Sequence, residues 1–283
     1  MNEIINSKSK VVIEENTKYF LKQSNTDIEG LFEYLHQRGF DYIPEIVSTS
    51  NDGIKYNYIE SNNNDIKLKR LEISKILSFL HYKTAYHKDI SKYKYREVYD
   101  KISEKCEFIS KYYDELIEKI EMEIYPSPSH YLIERNFSII LGSLNYIKSE
   151  LKKWFKLVEN KTKERVCVVN NNPKLEHLII GEKEYLTNWD NYMVDTPIID
   201  IYKLYKTNKN YENFYELYEE YTKNFVLTEE EKKMFFIMIS IPPKIDEVAN
   251  EMANTKNIKE IIDYLYRTNE FITSINLKKE NKN

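Results

Sequence analysis

The chain has 283 residues, of which 41% are hydrophobic and 31% charged, with 42 basic and 46 acidic side chains giving a formal net charge of −4. That balance excludes a wholly disordered or collagen-like chain and supplies ample material for a core. The two signs of charge are mixed along the sequence, so electrostatic capture of nucleic acid or of an anionic membrane is not expected.

Residues 10–15 and 18–23 predict two short strands around a turn at Asn16-Thr17, the second alternating apolar and polar as a half-buried hairpin strand does. Thr26 or Asp27 can cap a helix in which Ile28, Leu31, Phe32 and Leu35 recur at helical spacing, ending at Gly39. Residues 45–49 and 54–60 predict two further strands, split by the hairpin-turn signal Asn51-Asp52-Gly53. The polar run 61–65 reads as a linker. Long helical patterns follow at 68–86, 95–123 and 129–158. They are interrupted by strand candidates at 165–169, 178–180 and 185–187 around the polar loop 170–177. Helices resume from Pro197 to about Leu277, and the tail 278–283 is expected to be disordered.

The opening Met1-Asn2-Glu3-Ile4-Ile5-Asn6-Ser7 lacks a basic segment followed by an apolar run. No window approaches the roughly 18–20 apolar residues of a membrane span, so a cytosolic chain is expected. Cys106 and Cys167 fit no metal-ligand or disulfide spacing and are expected to be buried, reduced thiols. Only 5 glycines occur, few for loops that cradle phosphates, because such loops need positive φ and close backbone approach. No G-x-S-x-G sequence supports a serine nucleophile. Among the 25 tyrosines, Tyr211, Tyr215, Tyr218 and Tyr221 form a stripe at helical spacing. Core packing is its first reading and an aromatic face for a protein partner its second.

Strand, strand, helix, strand, strand, a linker, then helices with a strand–loop–strand insert resembles the bilobal protein-kinase-like fold. The class is α+β, with a small β-rich N-terminal lobe at 1–60, a linker at 61–67 and a large mainly helical C-terminal lobe at 68–277. The insert, 164–200, resembles the aminoglycoside phosphotransferase and choline kinase branch. That branch carries H-G-D-x-x-x-x-N, then I-D-[WF]-[DE], then D-x-P-x-x-D. The matching stretches here are Asn170-Asn171-Asn172-Pro173-Lys174-Leu175-Glu176-His177, Thr187-Asn188-Trp189-Asp190 and Asp195-Thr196-Pro197-Ile198-Ile199-Asp200. Tyr19-Phe20-Leu21-Lys22 is similar to the strand bearing the phosphate-contacting lysine, and Leu77-Ser78-Phe79-Leu80-His81 to the helix opening the large lobe. Lys83-Thr84, Leu227-Thr228-Glu229-Glu230-Glu231 and the stretch 239–245 look like the CotS-type spore coat proteins, kinase-like chains of the same branch.

The resemblance implies a catalytic base at the position of Asn172, a metal-binding Asn at His177 and a metal-binding Asp at Asn188. An amide has no useful basicity near neutral pH, imidazole suits softer metals than Mg²⁺, and Asn188 keeps an oxygen but loses a charge. Asp190 is the acidic residue left for any residual metal binding, with Asp195 nearby in sequence, and Asp200 matches the family's structural loop anchor. Lys22 is retained; it reads either as a phosphate contact partnered by Asp27, Glu29 or Glu33, or as an exposed hairpin lysine. His177 with Asn170, Asn171 and Asn172 reads as a satisfied polar loop rather than a new metal site.

The expectation is a catalytically inactive, pseudokinase-like protein that needs no cofactor and works through protein partners, as a spore coat or spore-associated assembly component, in the cytoplasm or on the coat. The alternative is a divergent small-molecule phosphotransferase using ATP and Mg²⁺ through Lys22 and Asp190, and a third possibility is a ligand-binding module without chemistry.

Overall fold

The computed structural model describes residues 3–6, 9–24, 26–50, 52–62, 65–211, 213–246 and 250–280. The chain divides into two compact units: Met1–His87 with Arg165–Thr207 and Glu216–Val226, and Lys88–Glu164 with Asn208–Tyr215 and Leu227–Asn283.

The first unit holds a five-stranded antiparallel sheet built from β1 (Glu3–Asn6), β2 (Ser9–Glu14), β3 (Thr17–Lys22), β4 (Ile46–Ser50) and β5 (Gly53–Asn57), in the order β1-β2-β3-β5-β4. β2 and β3 are joined through Glu15 and Asn16 at φ 46° and 67°, the pair of left-handed residues that a tight two-residue hairpin turn requires. β1 was not foreseen, because four residues with only Ile4 and Ile5 apolar carry no readable period. At the end of β3, Lys22 pairs with Ser9 on one side and Ile54 on the other. Gly53 has φ 130°, and a Cβ there would lie 2.5 Å from the Lys22 carbonyl oxygen, so the approach of β5 to β3 depends on glycine. Asn51, the first residue of the expected turn, lies outside the described residues.

α1 (Ile28–Gln37) starts at Asp27, whose carboxylate accepts the Gly30 amide at 2.9 Å. It buries Ile28, Leu31, Phe32 and Leu35, and Gly39 at φ 71° ends it as the Gly39 and Phe40 amides donate to His36 and Leu35. α2 (Ile66–Thr84) begins two residues before the expected start and stops two residues short of Tyr86, which opens β6 (Tyr86–Asp89). Residues 63 and 64 of the expected linker lie outside the described residues.

The remainder of this unit is the segment after β7 (Lys163–Val169). A single 3-10 turn, Leu175–His177, leads into the hairpin of β8 (Leu178–Ile180) and β9 (Glu184–Leu186), followed by β10 (Met193–Asp195) and α5 (Ile198–Thr207). The sheet order is β10-β7-β6, with Asp195 opposite Cys167. β6 and β10 were missed: β6 is exposed throughout and β10 has three residues, so neither shows alternation. α6 (Phe214–Asn224) contributes Tyr218 and Tyr221 to the core at 7% and 1% exposure, whereas Tyr211 precedes the helix. Packing is thus what the inner half of the tyrosine stripe does.

The second unit is helical: α3 (Lys94–Glu121), α4 (Pro128–Val158), α7 (Glu229–Ser240) and α8 (Glu251–Glu280). α4 buries Ile133, Ile140, Leu144, Ile147, Leu151, Trp154 and Val158, an apolar line at helical spacing. α7 opens with a reciprocal cap in which Thr228 and Glu231 each bind the other's backbone amide. α8 runs to Glu280, so residues 278–280, expected to be disordered, are helical; 281–283 lie outside the described residues. Among the described residues no helix is long and apolar enough to cross a membrane. Cys106 and Cys167 are both buried thiols outside any disulfide, and the Cys167 thiol donates to the Asp195 carbonyl at 3.7 Å.

Candidate functional site

The loop after β7 is held by a buried anchor. Asp200, on the first turn of α5, has no exposed surface, and its carboxylate accepts the Asn170 amide at 2.8 Å, the Asn171 amide at 2.7 Å and His81 Nε2 at 3.1 Å. His81, fully buried on α2, lies 2.6 Å from the Tyr221 hydroxyl through Nδ1. A proton on Nε2 lets His81 donate to the carboxylate and accept a hydrogen bond from the Tyr221 hydroxyl at Nδ1, which satisfies all three groups without water. Asp200 thus accepts two successive backbone amides of the loop that follows β7.

Asn171 sits at φ 62°, where a short amide side chain is tolerated. Its Nδ2 donates to the Asn191 carbonyl at 2.9 Å, and Lys203 Nζ donates to its own carbonyl at 2.8 Å. Asn170 Oδ1 accepts the Asn172 amide at 3.2 Å, and the buried Pro173 follows. His177 Nδ1 donates to the Asn172 carbonyl at 2.8 Å. With that proton on Nδ1, Nε2 is left as an acceptor, and Asn188 Nδ2 donates to it at 3.1 Å. Asn188 Oδ1 in turn accepts Lys22 Nζ at 2.7 Å. One directed chain of hydrogen bonds therefore runs from Lys22 through Asn188 and His177 to the Asn172 backbone.

Lys22 also forms an ion pair with Asp190, the two side chains being 20% and 31% exposed. The sequence offered Asp27, Glu29 or Glu33 as partner; instead the Asp27 carboxylate caps α1, and Asp190 takes the ammonium. Local structure places Asp190. The Tyr192 amide closes a turn on the Trp189 carbonyl at 3.1 Å, the Thr26 hydroxyl donates to the Asp190 carbonyl at 3.0 Å, and Asn188 bends the chain at φ 60°. Trp189, 3% exposed, packs edge-on to Phe32 and Phe40 with centroids 6.2 Å away in each case, and its indole N–H donates to Leu186. Asp195 is not part of this cluster; its carboxylate accepts the Thr196 amide next to it.

The electrostatics follow from burial. Desolvation holds the His177 imidazole below its ordinary value, against the opposing pull of its bond to the Asn172 carbonyl and of the nearby Glu176. Burial first, and the Asp190 carboxylate second, push the Tyr56 phenol well above its usual range. Of the expected site residues, Lys22, Asn172, His177, Asn188 and Asp190 are brought into one cluster, with Asp200 beneath it. The sequence did not disclose that His177 and Asn188 bond to one another, since that pairing depends on side-chain direction across two loops.

A nucleotide with Mg²⁺ fits this donor set poorly. Mg²⁺ calls for several hard oxygens in octahedral array. Here the Asp190 carboxylate is paired with Lys22, the Asn188 oxygen is held by the same ammonium, and His177 Nε2 already accepts from Asn188, with the exposed Glu176 carboxylate 3.6 Å from that nitrogen. Among the described residues, no group of three or more His, Cys, Asp or Glu side chains is placed to share a metal ion. β1 and β2 pair at Asn6 and Ser9, leaving only residues 7 and 8 between them, neither of which is glycine.

No family model matches the chain, and no curated protein matches it. Among solved structures it is similar to an aminoglycoside phosphotransferase from Alicyclobacillus acidocaldarius, at 9% identity and a TM-score of 0.67, over 99% of this chain and 92% of that one. It is also similar to a microcompartment-associated aminopropanol kinase, at 9% identity and a TM-score of 0.52, over 97% of this chain and 92% of that one. At such identities the likeness is one of fold. The chain has a kinase-like α+β fold, with a small antiparallel-sheet lobe and a large helical lobe.

Proposed function

We propose that this chain is a catalytically inactive kinase-like protein that acts through protein contacts, as a spore coat or spore-associated assembly component. The observation that carries the inactive reading is the closed chain from Lys22 through Asn188 and His177 to Asn172, with Asp190 on the same ammonium. Phosphoryl transfer needs a carboxylate to take the acceptor proton and hard anionic oxygens to hold the metal. On the sequence resemblance, amides stand at the first of these positions and at the main one of the second, and the Asp190 carboxylate is paired with a lysine. The coat assignment is supported by the sequence resemblance to CotS-type proteins, and it makes protein partners rather than a metabolite the thing to look for.

The test is calorimetric titration of the full chain with ATP, with and without Mg²⁺, to a few millimolar, alongside an ATPase assay. The expected result is neither binding nor turnover, and the double variant Asn172→Asp/Asn188→Asp is expected to remain inactive. Mg²⁺-dependent turnover that disappears in Asp190→Ala would replace this reading with a divergent small-molecule phosphotransferase using Lys22 and Asp190.

A further inference from the structure

The ammonium of Lys22 is the group to which a phosphate-bearing ligand would be drawn, and the chain already holds an anion against it. The Asp190 carboxylate is ion-paired with Lys22, and the Asn188 oxygen accepts a second N–H at 2.7 Å. Both partners are sheltered, with side chains 20% and 31% exposed, so salt screens them less than it would a surface pair. Asp190 is also held in place: its carbonyl accepts the Thr26 hydroxyl, the turn carrying it is closed by the Tyr192 amide, and the preceding Trp189 is buried. Asn188 is fixed from its other end by His177. An incoming oxyanion would have to displace a carboxylate that has few other positions available and would then meet its negative charge.

We propose that Asp190 is a built-in counter-anion that occupies Lys22 and excludes phosphate-bearing ligands from it. The cluster is then self-occupied: the cation that would attract a phosphate is present but covered. This inference rests on the inactive reading above and adds to it a cause that a single substitution removes. It also separates two losses, because the amides at Asn172 and Asn188 affect chemistry whereas Asp190 controls access.

The probe is inorganic pyrophosphate without metal, titrated into the full chain by calorimetry. Asp190→Asn keeps the shape and an oxygen for Lys22 but removes the charge. It is expected to bind pyrophosphate about tenfold or more tightly than the wild type, with the gain shrinking as salt rises. The gain should vanish in Lys22→Met/Asp190→Asn. Equal affinity in wild type and Asp190→Asn, or a gain that survives loss of Lys22, would overturn the proposal. Asp190→Ser is the second variant should the first fail to fold by circular dichroism. Failure of both to fold would overturn it too, because an anion essential to folding is a brace and not an occupant. Turnover of ATP by the wild type would sink the inactive reading instead, an outcome that these pyrophosphate titrations neither require nor mimic.

Discussion

Removing the Asp200 carboxylate tests the anchoring of the loop most directly. Its oxygens accept three donors, at 2.7, 2.8 and 3.1 Å, in a place with no exposed surface. In Asp200→Ala the Asn170 and Asn171 amides and the His81 N–H lose their acceptor together. At about 1–3 kcal/mol for each orphaned buried group, the ceiling is about 9 kcal/mol. Water entering the vacated space recovers part of this, and we expect a net loss of about 4 kcal/mol, a large share of the roughly 5–15 kcal/mol typical of a folded domain. Asp200→Asn keeps one acceptor but turns N–H groups toward donors, so its loss should be smaller, about 2 kcal/mol. Urea unfolding followed by tryptophan fluorescence measures both, since Trp189 lies in the segment that the anchored loop leads into. A loss below about 0.5 kcal/mol in both variants would refute the claim that this carboxylate holds the loop, because surface substitutions alone give that much.

Two further outcomes follow from particular residues. Burial holds the His177 imidazole below its ordinary 6.5, so the unfolded chain takes up the proton first; the stability it contributes is full above about 6.5 and is lost as the pH falls through the lower folded value. Urea midpoints measured from pH 7.5 down to 5.5 should therefore fall less steeply in His177→Gln than in the wild type, and identical slopes would exclude this origin. Gly53→Ala would put a methyl 2.5 Å from the Lys22 carbonyl at φ 130° and should cost about 2 kcal/mol or more, whereas Gly142→Ala meets nothing within 4 Å and should be neutral or slightly stabilising; thermal melts of the two side by side decide it.

The legible parts of this fold were those with a period or a cap. α1 announced itself through Asp27, its apolar spacing and Gly39, and β8 fell where a short apolar run predicted it. β1, β6 and β10 were invisible because strands of three or four residues at a sheet edge owe their existence to a neighbour's hydrogen bonds, not to their own side chains. The site divides in the same way. Lys22, Asn172, His177, Asn188, Asp190 and Asp200 were singled out by the resemblance of their stretches to family motifs, but the partner of Lys22 was not. Asp27 looked equally suitable in sequence, and only the backbone shows it committed to the Gly30 amide while a turn after Trp189 brings Asp190 to the lysine.

Asn172 is followed directly by the buried Pro173. An asparagine ages to aspartate when the next residue's backbone nitrogen attacks the side-chain carbonyl and ammonia leaves, and a proline nitrogen carries no hydrogen with which to complete that ring closure. The Asn172 amide is thereby shielded from slow chemical conversion into a carboxylate. A chain that persists for a long time after synthesis would keep the same side chain there throughout.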